Sequence, residues 1–380
     1  MEESFVLQRS HRKILIAAGG TGGHLIPAQV VAEQLMRWDP SLSLLFVGGG
    51  AIQPSSFDLT RFSYRKIDYP SFSQKSSLFR AFLSLLRGWM QSISILLSFR
   101  PQLILGFGSK HTFPILSISR LLFIPLIIHE ANVIPGKVNR FFARTAKFCT
   151  IFFPESAALL QGKCVEAIFP LRDRFSSFLS SQAEDFSFWN LKRGSTTLLI
   201  FGGSQGSLFI NILFLEVCEF LREVGHLFQV IHISGSAHST HFLSEEYEKR
   251  GIEAVVREYE AEMDRAWRVA DLAICRAGAG TIAEQIISEV PSILIPYPHA
   301  SDQHQEKNAA VLEKEGAALL WRENEKGASS LAELIFSLFT ENRKQLKAMK
   351  ESLSHLREKF FFHRPSLAFL IQKYLEDQNK

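Results

Sequence analysis

The sequence predicts an α/β protein with two doubly wound domains, each built on a parallel sheet. Short apolar runs alternate with segments of helical periodicity along the chain. One pattern, a strand followed by a glycine turn and a helix, opens both halves, first at residues 13–24 and again at 197–206. The length of 380 residues also corresponds to two domains. Ligands of such folds bind at the carboxyl ends of the strands.

Further strands are expected in chain order after these two openings. In the first half the apolar runs are LSLLFVGG, QLILGFG and PLIIHE, and in the second they are FQVIHISG, EAVVREY, LAICRAG and PSILIPY. Residues 171–195 are polar and irregular, which predicts a linker. An amphipathic helix is predicted at residues 366–377, and its apolar face suits either domain.

Composition excludes several classes of protein. Hydrophobic residues make up 46% and charged residues 21% of the chain, which excludes disordered, collagen-like and coiled-coil proteins. The net charge of +4 is unevenly distributed. Residues 1–171 contain 18 Lys and Arg against 9 Asp and Glu, whereas residues 172–380 contain 24 against 29. The two halves therefore differ in charge.

Cysteine usage and hydropathy indicate a protein of the reducing cytoplasm. Four widely spaced cysteines without a CxxC pair predict neither a disulfide framework nor a zinc site. No apolar core of a secretory signal follows the N-terminus. The uncharged stretches 14–32 and 194–215 are interrupted by glycines and polar residues, so we expect no membrane-spanning helix.

The glycine turns favour anion binding over a nicotinamide cofactor. A GxGxxG fingerprint from Gly20 would need glycine where Leu25 stands, and the next strand lacks a terminal acid for a ribose. Backbone N–H groups of the two loops instead suit a diphosphate. The alternative is that the glycines only make tight turns. His24 begins the first helix, where it is either a general base or an ordinary surface residue.

Two segments of the second half follow strands and carry polar or small residues. Residues 276–284 (RAGAGTIAE) would place backbone amides against a phosphate and Glu284 against vicinal ribose hydroxyls. Alternatively, Thr281 and Glu284 form a capping box at the helix start. Residues 298–309 (PHASDQHQEKNA) carry groups that hydrogen-bond to sugars, the alternative being a solvated loop.

Six motifs, in this order and spacing, resemble those of the MurG family: GGTGGH, HEAN, FPLR, GGSQG, CRAGAGTIAE and DQHQEKNA. The resemblance spans essentially the whole chain. It implies the GT-B fold, in which two Rossmann-like domains face each other across an interdomain cleft. On this basis residues 1–171 form the acceptor and membrane-facing domain and residues 172–359 the UDP-GlcNAc-binding domain. Residues 360–380 return to the first.

The resemblance also implies an activity and a set of site residues. Members of the family transfer GlcNAc from UDP-GlcNAc to the 4-hydroxyl of MurNAc in undecaprenyl-linked lipid I, with inversion, forming lipid II for peptidoglycan synthesis and cell-wall growth. The implied substrate-binding residues are Thr21, Gly22, Gly23, Asn132, Arg172, Ser204, Glu260, Ala279, Gly280, Thr281, Glu284 and Gln305. The first three of these belong to the acceptor-side loop. Glu260 is implied to meet uracil largely through its backbone, and the remaining residues to hold the donor.

The reaction needs a base and stabilisation of departing UDP. His24 and Glu130 are both candidates for the base. No DxD-like acidic pair lies near the donor motifs, so we expect Arg172, Ser204 and helix N-termini to balance the charge, without a metal ion or a cofactor. The alternatives are another GT-B lipid glycosyltransferase, a UDP-GlcNAc epimerase or a catalytically idle membrane scaffold.

The sequence departs from the family pattern at three places. Ser109-Lys110 stands where Gly-Tyr is usual, Ala131 replaces a glutamine, and Gly280 replaces a larger apolar residue. None of the three changes removes a proposed catalytic group.

A basic and apolar segment predicts contact with the membrane. Residues 71–147 contain ten basic residues and one acid, Glu130, and within them residues 78–99 mix Leu, Phe and Trp with two arginines. This composition suits adsorption to an anionic leaflet, the cytoplasmic face of the bacterial inner membrane, as a peripheral protein. The alternative is a buried helix with two exposed arginines. No nucleic-acid-binding module accompanies the basic face. Partners in a cell-wall synthesis complex are a further possibility.

Overall fold

The computed structural model describes residues 12–20, 22–50, 52, 57–70, 78–175, 182–225, 227–323, 327–341 and 343–378. They form two compact units. The first comprises the described residues of Met1–Ala131, Pro135–Pro170 and Pro365–Lys380, and the second those of Asn132–Ile134 and Leu171–Arg364. Each unit is an α/β layer structure around one parallel sheet.

The first unit contains a seven-stranded parallel sheet in the order β3-β2-β1-β4-β5-β6-β7. Its order reverses between β1 and β4, the position where doubly wound folds bind ligands. Its strands are β1 (Lys13–Ala17), β2 (Ser43–Gly48), β3 (Tyr64–Lys66), β4 (Leu103–Gly106), β5 (Leu126–Glu130), β6 (Phe148–Ile151) and β7 (Cys164–Glu166).

Helices cover both faces of this sheet. They are α1 (Gly22–Trp38), α2 (Leu78–Phe99), α3 (Phe113–Leu121), α4 (Lys137–Phe142) and α13 (Leu367–Asp377). The last of these packs against α1, where its buried Leu367, Ile371 and Leu375 join the apolar core of that face. On the opposite face, the sheet packs against α2 and α3.

The second unit contains a six-stranded parallel sheet in the order β10-β9-β8-β11-β12-β13. This order repeats that of the first sheet, with the reversal between β8 and β11. Its strands are β8 (Thr196–Phe201), β9 (Phe228–Ile233), β10 (Glu253–Arg257), β11 (Leu272–Cys275), β12 (Ser292–Leu294) and β13 (Ala318–Leu320).

Eight helices belong to the described part of the second unit. They are α5 (Gln182–Phe188), α6 (Leu208–Glu223), α7 (Ala237–Lys249), α8 (Met263–Val269), α9 (Ala279–Ser288), α10 (His304–Lys314), α11 (Ala328–Phe339) and α12 (Arg343–Arg357). Helices α6 and α11 pack together on one face of the sheet and bury a large apolar cluster.

The predicted parallel α/β architecture is confirmed, with some differences in its elements. Every apolar run named as a strand forms one, but sequence reasoning missed β3, β7 and β13, which lie at sheet edges, and β6, which lies between β5 and β7. The predicted linker at 171–195 is not wholly irregular, because it contains a 3₁₀ turn at Asp173–Phe175 and α5. The four cysteines are free thiols.

Among the described residues, one helix is long and apolar enough, by length and composition alone, to cross a membrane. It is Phe79–Phe99, within α2, and 22% of its most apolar window is buried in the protein. One side of α2 is an integral part of the first unit. A Cβ added at Gly88 would lie 2.2 Å from the Asp68 carbonyl oxygen, and Trp89 donates a 2.8 Å hydrogen bond to Ser117 in α3.

Candidate functional site

The loops after β1 and β4 are in close contact at the switch point of the first unit, the place where its strand order reverses. A Cβ on Gly19 would lie 2.5 Å from the Ser109 hydroxyl oxygen, so glycine is required by close approach. Ser109 itself has a φ of 78°, a left-handed conformation that is strained for serine. Its hydroxyl lies 2.8 Å from His111 Nδ1. The Ser109 departure from the family pattern thus creates a local hydroxyl–imidazole pair.

His111 is a neutral base at ordinary pH. Burial lowers its pKa to about 4, helped by the positive charge of Lys110 and by His24. Its ring meets Tyr69 edge to face at 4.1 Å. The Lys110 ammonium lies 5.8 Å from the same tyrosine ring. The side chains of the Ser109-Lys110 departure and of His111 therefore line this edge of the sheet.

His24 lies in the first turn of α1 and is partly buried. Its Nδ1 is 2.8 Å from the Phe107 carbonyl oxygen, which can only accept, so Nδ1 donates and the neutral ring has its lone pair on Nε2. The neighbouring Gly22 is buried and Gly23 is exposed, and no described residue lies within 4 Å of a Cβ placed on Gly23. Thr21 lies outside the described residues.

Glu130, the second candidate base, accepts hydrogen bonds from residues that follow it in the chain. The residue is 3% exposed at the end of β5. Its Oε2 accepts hydrogen bonds from Gly136 N at 2.9 Å and from Asn139 Nδ2 at 2.8 Å. The same Asn139 amide donates to the His129 carbonyl oxygen. Glu130 therefore fixes the Gly136 backbone and the Asn139 side chain to the strand end, a structural task that sequence reasoning did not anticipate.

At the switch point of the second unit, the glycine loop 202–206 meets the loop after β9. A Cβ on Gly235 would lie 2.2 Å from the Gly206 Cα, and both glycines have positive φ. Steric packing alone therefore accounts for Gly206. Gly203 also has positive φ, but a Cβ there meets nothing within 4 Å, and the adjacent Ser204 is exposed. These two residues present an open polar turn at the strand ends.

Helix α9 resolves the capping-box alternative. It begins at Ala279 after Gly278, which provides no side-chain cap, so Thr281 lies inside the helix together with Gly280. Glu284 does not reach back to the helix start. Its Oε2 instead accepts a 3.0 Å hydrogen bond from Trp267 Nε1 in α8. The capping-box interpretation is therefore wrong, because the N-cap is Gly278, three residues before the Thr281 that the motif requires.

Glu284 is partly exposed, and its carboxyl group has a perturbed acidity. Desolvation raises its pKa to about 7, against lowering by the Trp267 hydrogen bond and the Arg172 charge, while Asp264 adds to the increase. Arg172 donates through Nη1 to the Ala261 carbonyl oxygen at 2.7 Å and through Nη2 to the Tyr259 hydroxyl at 3.3 Å. A guanidinium and a titratable carboxyl group thus lie near one another at this strand edge.

The side chain of Glu260 is occupied by its own segment. It is 7% exposed and pairs with Arg257, and its Oε1 accepts a 2.6 Å hydrogen bond from Glu262 N. Arg257 also stacks on the rings of Phe188 and Trp189. With the carboxylate engaged in this way, the backbone of the segment is its remaining hydrogen-bonding surface.

The polar segment after β12, residues 298–309, forms hydrogen bonds with neighbouring loops of the second unit. Gln305 Oε1 accepts a 2.9 Å hydrogen bond from Tyr297 N. Asn308 is fully buried and donates to Asn132 Oδ1 at 3.0 Å and to the Ala277 carbonyl oxygen at 3.2 Å, and its Oδ1 accepts from Val133 N. Asn132 is therefore positioned by Asn308.

Sequence reasoning missed three residues that organise the second unit. Asn308 and Arg276 stand within motifs that were recognised, but neither was assigned a role. Arg276 is 6% exposed and ties together Ser207 Oγ, the Ile295 carbonyl oxygen and Glu323. Trp267 lies outside all six motifs, and nothing in the sequence marked it. In the described part of the chain, no group of three or more His, Cys, Asp or Glu side chains could hold a metal ion.

Comparisons with known proteins agree with this arrangement. Residues 14–151 match the glycosyltransferase family 28 N-terminal domain, and residues 197–362 match its C-terminal domain. The UDP-N-acetylglucosamine--N-acetylmuramyl-(pentapeptide) pyrophosphoryl-undecaprenol N-acetylglucosamine transferase of Protochlamydia amoebophila is 42% identical over 300 residues, 78% of this chain and 79% of its own. The chain belongs to the MurG family. A Trichlorobacter lovleyi relative with the same name is 35% identical over 90% of this chain and 94% of its own.

Solved structures agree with this family assignment at the level of fold. The MurG crystal structure from Acinetobacter baumannii has a TM-score of 0.70 and 24% identity, covering 95% of this chain and 99% of that one. The predicted GT-B fold class is confirmed, and so is the prediction of a MurG-family hexosyltransferase.

Proposed function

We infer that this chain transfers GlcNAc from UDP-GlcNAc to the 4-hydroxyl of MurNAc in lipid I, forming lipid II. The observation that carries this inference is the similarity to transferases of that name over 78–90% of the chain and 79–94% of theirs. The alternatives of an epimerase, another lipid glycosyltransferase or an idle scaffold have no observation in their favour. The substrates that follow are UDP-GlcNAc and undecaprenyl-linked lipid I.

The donor is assigned to the second unit. Glu284 accepts hydrogen bonds from the vicinal ribose hydroxyls, and Ala279, Gly280 and Thr281 offer the first-turn amides of α9 to a phosphate. The Glu260 side chain is engaged by Arg257, so uracil is met by the backbone of its segment. We assign sugar and donor contacts to Gln305 and to Asn132, whose side chain is held by Asn308.

Departure of UDP requires positive potential at the diphosphate. Arg172 lies near Glu284 and is anchored by the Ala261 carbonyl oxygen, so its guanidinium is held in place. The exposed turn at Ser204 and the N-terminus of α9 supply hydrogen-bond donors and a favourable dipole. Fixed donors of this kind stabilise developing charge without reorganisation during the reaction.

The acceptor and the base are assigned to the first unit. Gly22 and Gly23 open α1 beside His24, and the space above Gly23 allows close approach of a substrate. We assign the base to Nε2 of His24, because its Nδ1 proton is held by the Phe107 carbonyl oxygen. Nε2 takes the proton of the 4-hydroxyl while that oxygen forms a bond to the anomeric carbon. The bond from that carbon to the UDP oxygen breaks on the opposite face, which inverts the linkage to β.

The membrane surface is assigned to one side of α2. Phe79, Leu83, Met90, Ile93 and Leu97 recur at helical spacing on its exposed side, and the buried side packs into the first unit. The exposed arginines Arg80 and Arg87 flank this apolar stripe. A helix with one packed and one apolar face beside basic residues suits adsorption to an anionic leaflet.

Other basic residues of the same region add to the positive surface. Glu130, the acid among them, is buried. Lys75 lies outside the described residues, and the remaining nine basic residues are exposed: Arg80, Arg87, Arg100, Lys110, Arg120, Lys137, Arg140, Arg144 and Lys147. This charge supports peripheral association with the cytoplasmic face of the inner membrane, where a complex of cell-wall enzymes would also be met.

The decisive experiment is an assay of GlcNAc transfer with purified protein. Radiolabelled UDP-GlcNAc and a short-chain lipid I analogue should give a disaccharide product, and omission of the acceptor should abolish donor consumption. Turnover of the donor without the acceptor would instead indicate an epimerase, and absence of UDP-GlcNAc binding would indicate a scaffold. The same assay in chelator tests the expectation that no metal ion is needed.

A further inference from the structure

Trp267 is a buried tryptophan whose indole N–H is directed at a carboxylate. It lies in α8 and is fully buried, and its Nε1 donates to Glu284 Oε2 over 3.0 Å. The indole also meets the Phe201 ring edge to face, with centroids 5.6 Å apart, at the end of β8. The side chain thus lies between a strand end of the switch point and the carboxyl group of α9.

The other buried tryptophans of the described second unit differ in this respect. Trp189 and Trp321 are 1% and 3% exposed, and the Nε1 of each has no hydrogen-bond partner among the described residues. Within that part of the chain, the second unit therefore buries two indoles without a partner for the N–H. The Trp267 hydrogen bond to a carboxylate is a specific feature, and charge-assisted bonds of this type are among the stronger ones.

Helix α8 is anchored independently of Glu284. The adjacent Arg268 donates to both oxygens of Asp185 in α5, at 2.6 and 3.2 Å, and to Asp264 at 2.8 Å. Asp185 is fully buried, so this ion pair is held within the unit. Trp267 therefore donates from a fixed helix, and its N–H constrains the position of the Glu284 carboxylate.

We propose that Trp267 is a positioning residue for the nucleotide: its indole N–H holds Oε2 of Glu284 so that the carboxylate is oriented to accept both vicinal ribose hydroxyls of UDP-GlcNAc. This proposal rests on the donor role assigned to Glu284. Trp267 itself does not contact the reacting atoms, and its effect passes through Glu284. The specificity it confers is for a ribonucleotide with both hydroxyls present.

The charges around Glu284 determine how this effect depends on pH. Burial raises the Glu284 pKa to about 7, and Trp267 and Arg172 oppose that increase. Asp264 on α8 raises the pKa, and the Cys275 thiol on β11 also faces the carboxyl group. Because the ionised carboxylate accepts both hydroxyls, affinity should increase as pH passes upward through this pKa. Removal of the Trp267 donor should move that transition to higher pH.

The test is UDP-GlcNAc affinity measured by calorimetry from pH 5.5 to 9 for Trp267→Phe, which removes the N–H and keeps a ring. We expect Kd at pH 7 to increase by about tenfold, the loss of one charge-assisted hydrogen bond, and the transition of affinity with pH to move upward. Trp321→Phe is the matched control, because it changes a buried indole whose N–H has no partner in the described part of the chain, and its affinity profile should stay unchanged. An unchanged profile for Trp267→Phe would overturn the proposal.

Two further measurements separate this proposal from the role of Glu284. With the 2′-deoxyribose analogue of UDP-GlcNAc, the difference between wild type and Trp267→Phe should become smaller, because only the 3′-hydroxyl remains for the carboxylate. If Glu284→Gln weakens binding and Trp267→Phe does not, the role of Glu284 stands and that of Trp267 fails. If Glu284→Gln leaves binding intact, both fail. Should Trp267→Phe not fold, β-(3-benzothienyl)alanine at position 267 keeps the ring shape without the N–H and gives the same comparison.

Discussion

Individual residues of similar chemistry perform different tasks at the strand edge of the first unit. Glu130 is nearly inaccessible and accepts two hydrogen bonds that close the loop 131–136, whereas His24 is only partly buried. The Phe107 carbonyl oxygen selects the His24 tautomer that leaves a basic Nε2. The sequence left both residues as candidates for the base, and they differ in how accessible their side chains are.

We predict that His24→Gln lowers kcat by about 100-fold or more with little change in UDP-GlcNAc affinity. Glutamine retains a donor for the Phe107 carbonyl oxygen, so the loop should keep its conformation while the base is lost. Single-turnover transfer and donor binding measured on the same preparation check this. A His24→Gln enzyme with near wild-type kcat would exclude His24 as the base.

Glu130 provides the matched comparison. Glutamine can place its carbonyl oxygen where Oε2 accepts from Gly136 N and Asn139, so Glu130→Gln should keep both stability and kcat near wild type. Glu130→Ala leaves two donors without an acceptor and should reduce the free energy of unfolding by about 2 kcal/mol or more. Loss of activity in Glu130→Gln with an unchanged melting temperature would instead identify Glu130 as the base.

Single elements of this protein have different surroundings on their different sides. In α2, Gly88 lies against the Asp68 carbonyl oxygen and Trp89 is hydrogen-bonded to α3, while Phe79 and Met90 are 68% and 64% exposed. Helix α8 similarly joins α5 through Arg268 and α9 through Trp267.

We predict that charge reversal of Arg80 and Arg87 to glutamate weakens binding to phosphatidylglycerol vesicles by at least tenfold, since each nearby charge contributes about 1 kcal/mol. Turnover of a water-soluble acceptor should be unaffected, because both residues lie on the exposed side of α2. Vesicle sedimentation and the soluble assay check the two parts. Reversal of Lys344 and Lys350, exposed on α12 of the second unit, makes an equal change in net charge and serves as control. Equal losses in both variants would contradict a role for α2.

At the scale of the whole molecule, each unit buries a neutral histidine. His129 in the first unit and His232 in the second are buried, and burial lowers the pKa of each to about 3. His232 lies between the Tyr247 hydroxyl and Asn211 Oδ1, and His129 Nδ1 is 3.0 Å from the Thr150 hydroxyl oxygen. In both units, an unfolded chain would take up a proton at a pH where the folded one does not.

We predict that acid destabilises both units between about pH 6.5 and 3. Below about pH 6.5 each of these histidines is protonated in the unfolded state, whereas in the native state it stays neutral down to about pH 3. The free energy of unfolding is therefore highest above this window and decreases as pH falls through it. The slope should approach about 1.4 kcal/mol per pH unit for each histidine. Hydrogen exchange measured at several pH values in that window reports the two units separately.

His129→Phe tests the assignment in the first unit. Phenylalanine can retain the ring contacts with Phe107 and Phe169, and it cannot take up a proton. The acid dependence of the first unit should therefore become shallower, while that of the second unit stays the same. His241→Gln, at a side chain that is 80% exposed, should change neither slope. An unaltered slope in His129→Phe would contradict the buried-histidine mechanism.

The fold class, most of the central strands and the two glycine loops at the strand ends follow from the sequence alone. These features are local, since apolar periodicity and glycine turns specify strand, turn and helix without reference to the rest of the chain. The edge strands β3, β7 and β13 were missed because each is only three residues long, and the interior strand β6 was missed as well.

Only the tertiary structure decided which side chains of the motifs are available. Glu284 was compatible with a helix cap until its contact with Trp267, 17 residues away in sequence, was seen. Glu130 is committed to its loop, and Asn132 is held by Asn308, 176 positions later. Burial, tautomer and acidity depend on atoms brought together by packing, and no periodicity or motif spacing records them.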